Sequence, residues 1–306
     1  MSSVKPDTTL GGGVDVDTST PLKLLPRRHP AYWVSGFVVL CVLGYLIWAF
    51  AHAQVNWPTV PRFLFSGIII SGFEKTVLVA VLAMVIGLTL GTLFAVMRLS
   101  KNPLLSAIAW FYVWAFRGTP VLVQLLIWFN LAIIFPSFSI PGIFHVQTVQ
   151  VITPFIAALL GLGINEGAYL TEIIRGGILS VDTGQTLAAT SLGLSRRQTL
   201  AKIVLPQAMP AIIPTIGNEA IGMLKTSSLA AVIGYAELLE SAESIYYVNE
   251  RVMELLFVAS IWYLAATSVT SVGQYYVERH FGRSQVRQRS LADRALQTVI
   301  AKIRGR

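Results

Sequence analysis

Charge is scarce in this 306-residue chain: Asp, Glu, Lys and Arg make up 12% of it, about half the share usual in a soluble domain. Hydrophobic residues make up 54%, and the mean hydropathy is +0.66. So little polar side chain cannot cover one or two water-soluble cores, which excludes an ordinary cytosolic globular protein. There is one cysteine, Cys41, inside an apolar run, which excludes an intrachain disulfide and a cysteine metal site. The four histidines, His29, His52, His145 and His280, stand at the ends of apolar runs or between them, and no HExxH pattern occurs, so an intramembrane metalloenzyme is disfavoured. A GxxxxGK[ST] phosphate loop is also missing, and with it that means of cradling a nucleotide. The net charge of +8 does not point to nucleic acid, because the basic residues cluster where membrane topology accounts for them.

What the chain has is long apolar runs. Ala31 to Phe50 and Thr76 to Met97 are free of charge and long enough to cross about 30 Å of hydrocarbon as helices. Leu104 to Phe135 is too long for one crossing and is interrupted by Arg117, Gly118 and Pro120. Either it makes two short crossings, or its aromatic first part lies at the inner interface and Thr119 to Phe135 crosses. The second division keeps Arg98, Lys101 and Arg117 on one side. Further spans are expected from Val151 to Ile174, from Pro206 to Ala231 with bending at Pro206, Pro210 and Pro214, and from Leu255 to Val277.

The expectation is therefore an all-α polytopic membrane bundle of about six transmembrane helices with both termini inside. Arg27 and Arg28, then Arg98, Lys101 and Arg117, then Arg175, Arg196, Arg197 and Lys202, and finally the basic tail all fall on the inner side. An acidic segment, Glu237 to Glu254, falls outside, either as a docking surface or as a solvated loop. The expected organisation is a mobile cytoplasmic tail over 1–30, an additional N-terminal transmembrane helix over 31–53, a core over 72–279 and a basic cytoplasmic tail over 280–306. Arg27-Arg28 before an apolar run with Ala51-His52-Ala53 after it also fits a secretory signal, but the run is longer than a usual signal core.

The segment from about Ser180 to Leu205 reads SVDTGQTLAATSLGLSRRQTLAKIVL. Thr186 to Ser191 can make a short helix and Gly193 a turn. Ser195 can cap a second helix from Arg196 to Val204 ahead of Pro206. Two short helices about a glycine bend form a knob suited to docking a partner, the alternative being an interfacial loop whose arginines only set topology.

This loop resembles the EAA motif of bacterial ATP-binding-cassette importer permeases, with Ala188, Ala189, Gly193, Ile203, Leu205 and Pro206 at matching positions. RGTPVLVQL at Arg117 to Leu125, GAYLTEIIRGGI at Gly167 to Ile178 and LKTSSL at Leu224 to Leu229 extend the resemblance to the polar amino-acid branch, over roughly Gly72 to Arg279. Leu187 stands where the motif has its glutamate. The resemblance implies a type I importer permease in the bacterial inner membrane, a transport subunit with no catalytic residues, metal or cofactor of its own. ATP and magnesium would be bound by a cytosolic ATPase dimer. A second permease copy or a paralogue, an extracytoplasmic solute-binding protein and a small polar solute complete the expected partners. The stretch Gln185 to Lys202 would insert into the ATPase. A secondary transporter or channel is the rival reading, and under it the knob has no purpose.

Polar residues within the spans are costly unless paired or facing water. Asn165 and Glu166 interrupt the fourth span, and Asn218, Glu219 and Lys225 the fifth. Asn218, Gly222 and Lys225 follow helical spacing, with glycine allowing close approach. Two readings stand: a Glu166–Lys225 pair that locks two helices, or a substrate pathway in which this acid and base, with Thr226, Ser227 and Ser228, meet an amino acid.

Overall fold

The computed structural model describes residues 30–52, 55–140 and 144–304, with side chains described over 33–52, 55–139 and 145–281. The expected tail over 1–30 thus lies almost wholly outside the described residues. The chain divides into two compact units between Gln54 and Val55. The first holds α1 (Pro30–Ala51), a 22-residue apolar helix about 33 Å long and so matched to a bilayer core.

The second unit begins with α2 (Thr59–Leu64) and the 32-residue α3 (Gly67–Arg98). Then come α4 (Pro103–Arg117), capped by the Asn102 side chain, α5 (Val121–Phe129) and the short α6 (Leu131–Ile134). An antiparallel ribbon, β1 (Ser137–Ile140) and β2 (Phe144–Gln147), pairs Phe138 with Val146 and is the one departure from an all-helical architecture among the described residues. α7 (Thr148–Val151) leads to α8 (Pro154–Leu179). The knob comprises α9 (Thr183–Ser191) and α10 (Arg196–Thr199). A π-turn over Leu200–Val204 carries the chain into α11 (Leu205–Thr226), a 3-10 turn over Ser227–Ile233 follows, and then α12 (Leu238–Asn249) and α13 (Val252–Arg304).

Among the described residues four helical segments are long and apolar enough to cross a membrane: Trp33–Ala51, Gly67–Arg98, Arg196–Ile233 and Val252–Phe281. A fifth arises if α4 and α5, bent by 99°, count as one broken span. By length and composition the described helices thus give four or five apolar spans beside the expected about six, and two places account for the difference. The nine residues of α5 make about 14 Å of helix, too short to cross alone, because Asn130 ends the helix that was expected to run to Phe135. α8 has 26 residues, about 39 Å, but its polar stripe makes it too hydrophilic to count by composition. It is tolerated because α3, α4, α5 and α11 pack around it, so protein replaces lipid against that stripe.

Small residues let α3 and α8 approach closely. A Cβ on Gly87 would lie 2.8 Å from Glu166 Cγ, and one on Gly91 2.6 Å from Leu170 Cβ. Ala80, Ala83, Ala157, Ala158 and Leu162 fill the same seam in the main core. A second core joins α2, α3, α12 and α13 around Ile69, Leu238, Leu255 and Val258.

Two carboxyl groups of the acidic segment belong to this second region. Glu237 is fully buried, caps α12 through Glu240 N–H at 2.9 Å, and accepts hydrogen bonds from Tyr263 at 2.6 Å and Thr76 at 3.2 Å. Glu254 is buried and accepts from Asn56 N–H at 2.7 Å. Neither is free to meet a partner, which reduces the acidic docking surface to Glu240, Glu243 and Glu250.

Candidate functional site

Arg117-Gly118-Thr119-Pro120 turns the chain between α4 and α5. Pro120 cannot extend α4, because its ring and the missing N–H break the helical ladder, so it starts α5 as its N-cap. Buried Gln124 holds the turn. Its Nε2 donates to Phe116 O at 2.9 Å, Thr119 O at 3.1 Å and Thr119 Oγ1 at 2.7 Å. Asn165 of α8 donates to Phe116 O at 2.8 Å and to Gln124 Oε1 at 3.2 Å, tying the turn to the central helix.

A cavity of about 440 Å³ opens beside this turn, and its walls include Arg117, Thr119, Asn165, Glu166, Glu219 and Thr226. Four of the eight residues anticipated for the pathway, Asn165, Glu166, Glu219 and Thr226, thus line one space. Glu166 is buried and its Oε1 has no hydrogen-bond partner, an expensive state for an acceptor unless something entering the site supplies a donor. The unpaired N–H groups opening α5 and the Arg117 guanidinium stand at the opposite sign to the two carboxyl groups, so the walls suit a zwitterion.

The other four lie elsewhere. Ser227 is buried and bonds back to Leu224 O at 2.9 Å, and Ser228 bonds to Lys225 O at 2.7 Å. Asn218 and Lys225 are exposed, and a Cβ on Gly222 would meet nothing within 4 Å, so this face of α11 makes no close approach at Gly222 among the described residues. The Glu166–Lys225 pair is not formed: the ion pairs among the described residues are Arg98–Glu172 at 3.7 Å, Arg175–Glu172 at 2.5 Å and Arg251–Glu254 at 3.9 Å.

The knob has the expected glycine bend, with Gly193 at φ +79°. Asp182 caps α9, and Ser195 and Gln198 form a reciprocal capping box at α10. The second helix does not stop ahead of Pro206. The wider π-turn gives the prolyl ring room, and one continuous helical segment runs from Arg196 to Ile233. Ala189 is buried beneath the knob, Ala188 and Pro206 are exposed, and Ile203 and Leu205 are half-buried at its root. Gln185 Oε1 accepts from Gln207 Nε2 at 3.5 Å, and Ile203 O accepts from the same group at 2.9 Å. Leu187 and Leu192 are 67% and 81% exposed, an apolar tip on a knob otherwise edged by arginines.

Comparison with known proteins decides what carries this geometry. The description "binding-protein-dependent transport system inner membrane component" matches residues 87–283. The chain belongs to that family. It is similar to the arginine transport system permease protein ArgU of Corynebacterium glutamicum, 38% identical over 284 residues that cover 92% of this chain and 90% of that protein. It is also similar to the glutamine transport system permease protein GlnP of Escherichia coli K12, at 34% over 215 residues covering 70% and 90%. Among solved structures, an amino acid ABC transporter crystallised with histidines aligns with TM-score 0.65 and 34% identity over 74% of this chain and 99% of that one. The inward-facing methionine transporter MetNI shares the fold at TM-score 0.56 and 18% identity, over 70% and 96% of the two chains. This chain is accordingly a multi-pass inner-membrane transport component of the importer-permease fold.

Gln124 stands in the RGTPVLVQL stretch, but its place within an apolar run gave no sign that it braces the turn. Tyr112, which donates to Ile164 O at 2.6 Å and stacks on Phe94 at 4.0 Å, was hidden among interfacial aromatics.

Proposed function

We propose that this chain forms the translocation pathway of an ATP-driven importer for a basic amino acid, arginine being the best candidate. The observation that carries the proposal is the cavity with Glu166 and Glu219 against Arg117 and the start of α5. The α-carboxylate would lie toward Arg117 and the α5 amides, and the ammonium and cationic side chain toward the two carboxyl groups. Two acids against one base favour a cargo of net positive charge, in keeping with the arginine permease among the relatives.

Both termini face the cytosol in this reading, and the knob meets a cytosolic ATPase that binds ATP and magnesium and performs all the hydrolysis. This chain itself carries no cofactor and no catalytic residue. Leu187 and Leu192 supply apolar contact where related loops use a glutamate. A second copy packs against the open Asn218–Gly222–Lys225 face, and a solute-binding protein delivers cargo from outside. The N-terminal helix α1 is an addition to a core over 72–279.

The test is ATP hydrolysis by the purified complex in proteoliposomes, with binding protein present, across a panel of amino acids. Stimulation by arginine, lost in Glu166→Gln with the complex still assembled, is expected. Uptake of arginine without ATP, or stimulation by acidic amino acids alone, would overturn the proposal. Cysteines at Thr190 and Ser191 should crosslink to the ATPase.

A further inference from the structure

Beside the first cavity lies a second of about 450 Å³, with Arg98, Trp110, Trp114 and Glu172 in its walls. The two share Arg117, Gly118 and Tyr169, so these residues form the partition. The Arg117 guanidinium carbon sits 5.0 Å from the centre of the Tyr169 ring, within cation–π range. Both side chains are exposed rather than packed into a core, so the contact can part without breaking one.

The two spaces also follow one line along α8. Glu166, Tyr169 and Glu172 recur at three-residue spacing, each about one turn on from the last and about 60° round α8, so the line winds with the helix. Glu172 lies about 9 Å beyond Glu166 along the helix axis. In the second cavity Glu172 holds Arg175 at 2.5 Å and Arg98 at 3.7 Å, and neither Arg98 Nε nor Glu172 Oε1 makes a hydrogen bond. A donor and an acceptor of opposite charge therefore face each other without a completed bond, next to two indole rings. An amino acid leaving the first cavity would find the same pairing of charges there.

We propose that the Arg117–Tyr169 contact is the inner barrier of the pathway, and that the cavity walled by Arg98 and Glu172 is a release station for the amino acid on the cytoplasmic side. The proposal rests on the pathway reading above. Parting the contact joins the two cavities. Arg117 stays within reach of both and can hold the carboxylate while the ammonium passes from Glu166 toward Glu172.

The barrier can be measured without any assumption about cargo. In the assembled complex, with Cys41→Ser removing this chain's only native thiol, Thr226→Cys marks a wall of the first cavity that does not line the second, and the labelling of this chain is read. A membrane-impermeant cationic methanethiosulfonate is added to inside-out vesicles, so that it enters from the cytoplasmic face. Labelling should be slow with Tyr169 and with Tyr169→Phe, which keeps the ring face. It should be roughly threefold to thirtyfold faster in Tyr169→Ala, the range a cation–π contact commands. Tyr169→Leu, which keeps bulk without a π face, should also be faster and serves if the alanine variant fails to assemble. Equal rates in the Phe, Ala and Leu variants would overturn the barrier. Arginine should protect the cysteine in every variant. Fast labelling of the Ala and Leu variants without protection by arginine would reject the basic cargo and keep the barrier, whereas protection with equal rates would do the reverse.

Discussion

The Tyr263 hydroxyl donates to the buried Glu237 carboxyl across 2.6 Å, joining α13 to the start of α12 at a point where Thr76 of α3 also donates. Three helices meet on one acid. Tyr263→Phe should cost about 1.5–3 kcal/mol, the usual worth of a hydrogen bond to a charged group, and lower the melting temperature of the detergent-solubilised complex. A melting temperature equal to the parent's would show that the junction does not depend on this bond.

Burial pushes the Glu237 carboxyl above the ordinary carboxylate range, against the opposing pull of the Tyr263, Glu240, Leu239 and Thr76 donors. A group whose folded-state value is raised favours folding below its unfolded value, and this stabilisation is lost as pH rises through the folded value. The stability of the parent should therefore fall with increasing pH across the window above the ordinary glutamate range. Glu237→Gln should flatten that part of the curve, as read from melting temperature against pH.

Gly87→Ala would put a methyl group 2.8 Å from Glu166 Cγ. The α3–α8 seam must widen or the carboxyl must move, at about 1–3 kcal/mol for overpacking. Weaker arginine-stimulated hydrolysis alongside reduced thermal stability is expected. An unchanged concentration dependence for arginine would separate Glu166 from the cargo.

Gly193 has open space around its Cβ position but a φ of +79°, so Gly193→Ala acts through backbone strain alone, about 1–2 kcal/mol. If the bend must be kept for docking, ATPase affinity should drop roughly fivefold to thirtyfold, measured by titrating ATPase into permease liposomes.

Leu192→Asp should weaken the ATPase complex roughly tenfold or more, the scale set by burying one leucine side chain, with permease stability unchanged because the residue is exposed. Undiminished copurification of the ATPase would move the docking surface off the knob tip.

What the sequence made legible followed local chemistry. The knob could be read because Gly193 and Ser195 are turn and cap residues whose preferences need no distant partner. Arg117 to Pro120 marked a break, but its 99° angle depends on Gln124 and Asn165, whose shared acceptor, Phe116 O, lies 8 and 49 residues away. Glu237 and Glu254 looked like loop acids because their partners Thr76 and Asn56 are 161 and 198 residues distant. Lys225 was set against Glu166 because helical periodicity tells which residues share a face of α11 but not which neighbour that face meets.

The second helix of the knob, α10, and one wall of the cavity stand on a single helical segment, Arg196–Ile233, loosened at the π-turn and at Pro210 and Pro214 before its 3-10 end. From Thr199 to Glu219 it spans about 30 Å, so a tilt of about 10° at one end displaces the other by about 5 Å. Such a segment is a lever whose flexing points are the π-turn, Pro210 and Pro214. A shift of Glu219 along the segment's axis would draw α10 with it, and a tilt at the α10 end would reach the cavity scaled by the length between them.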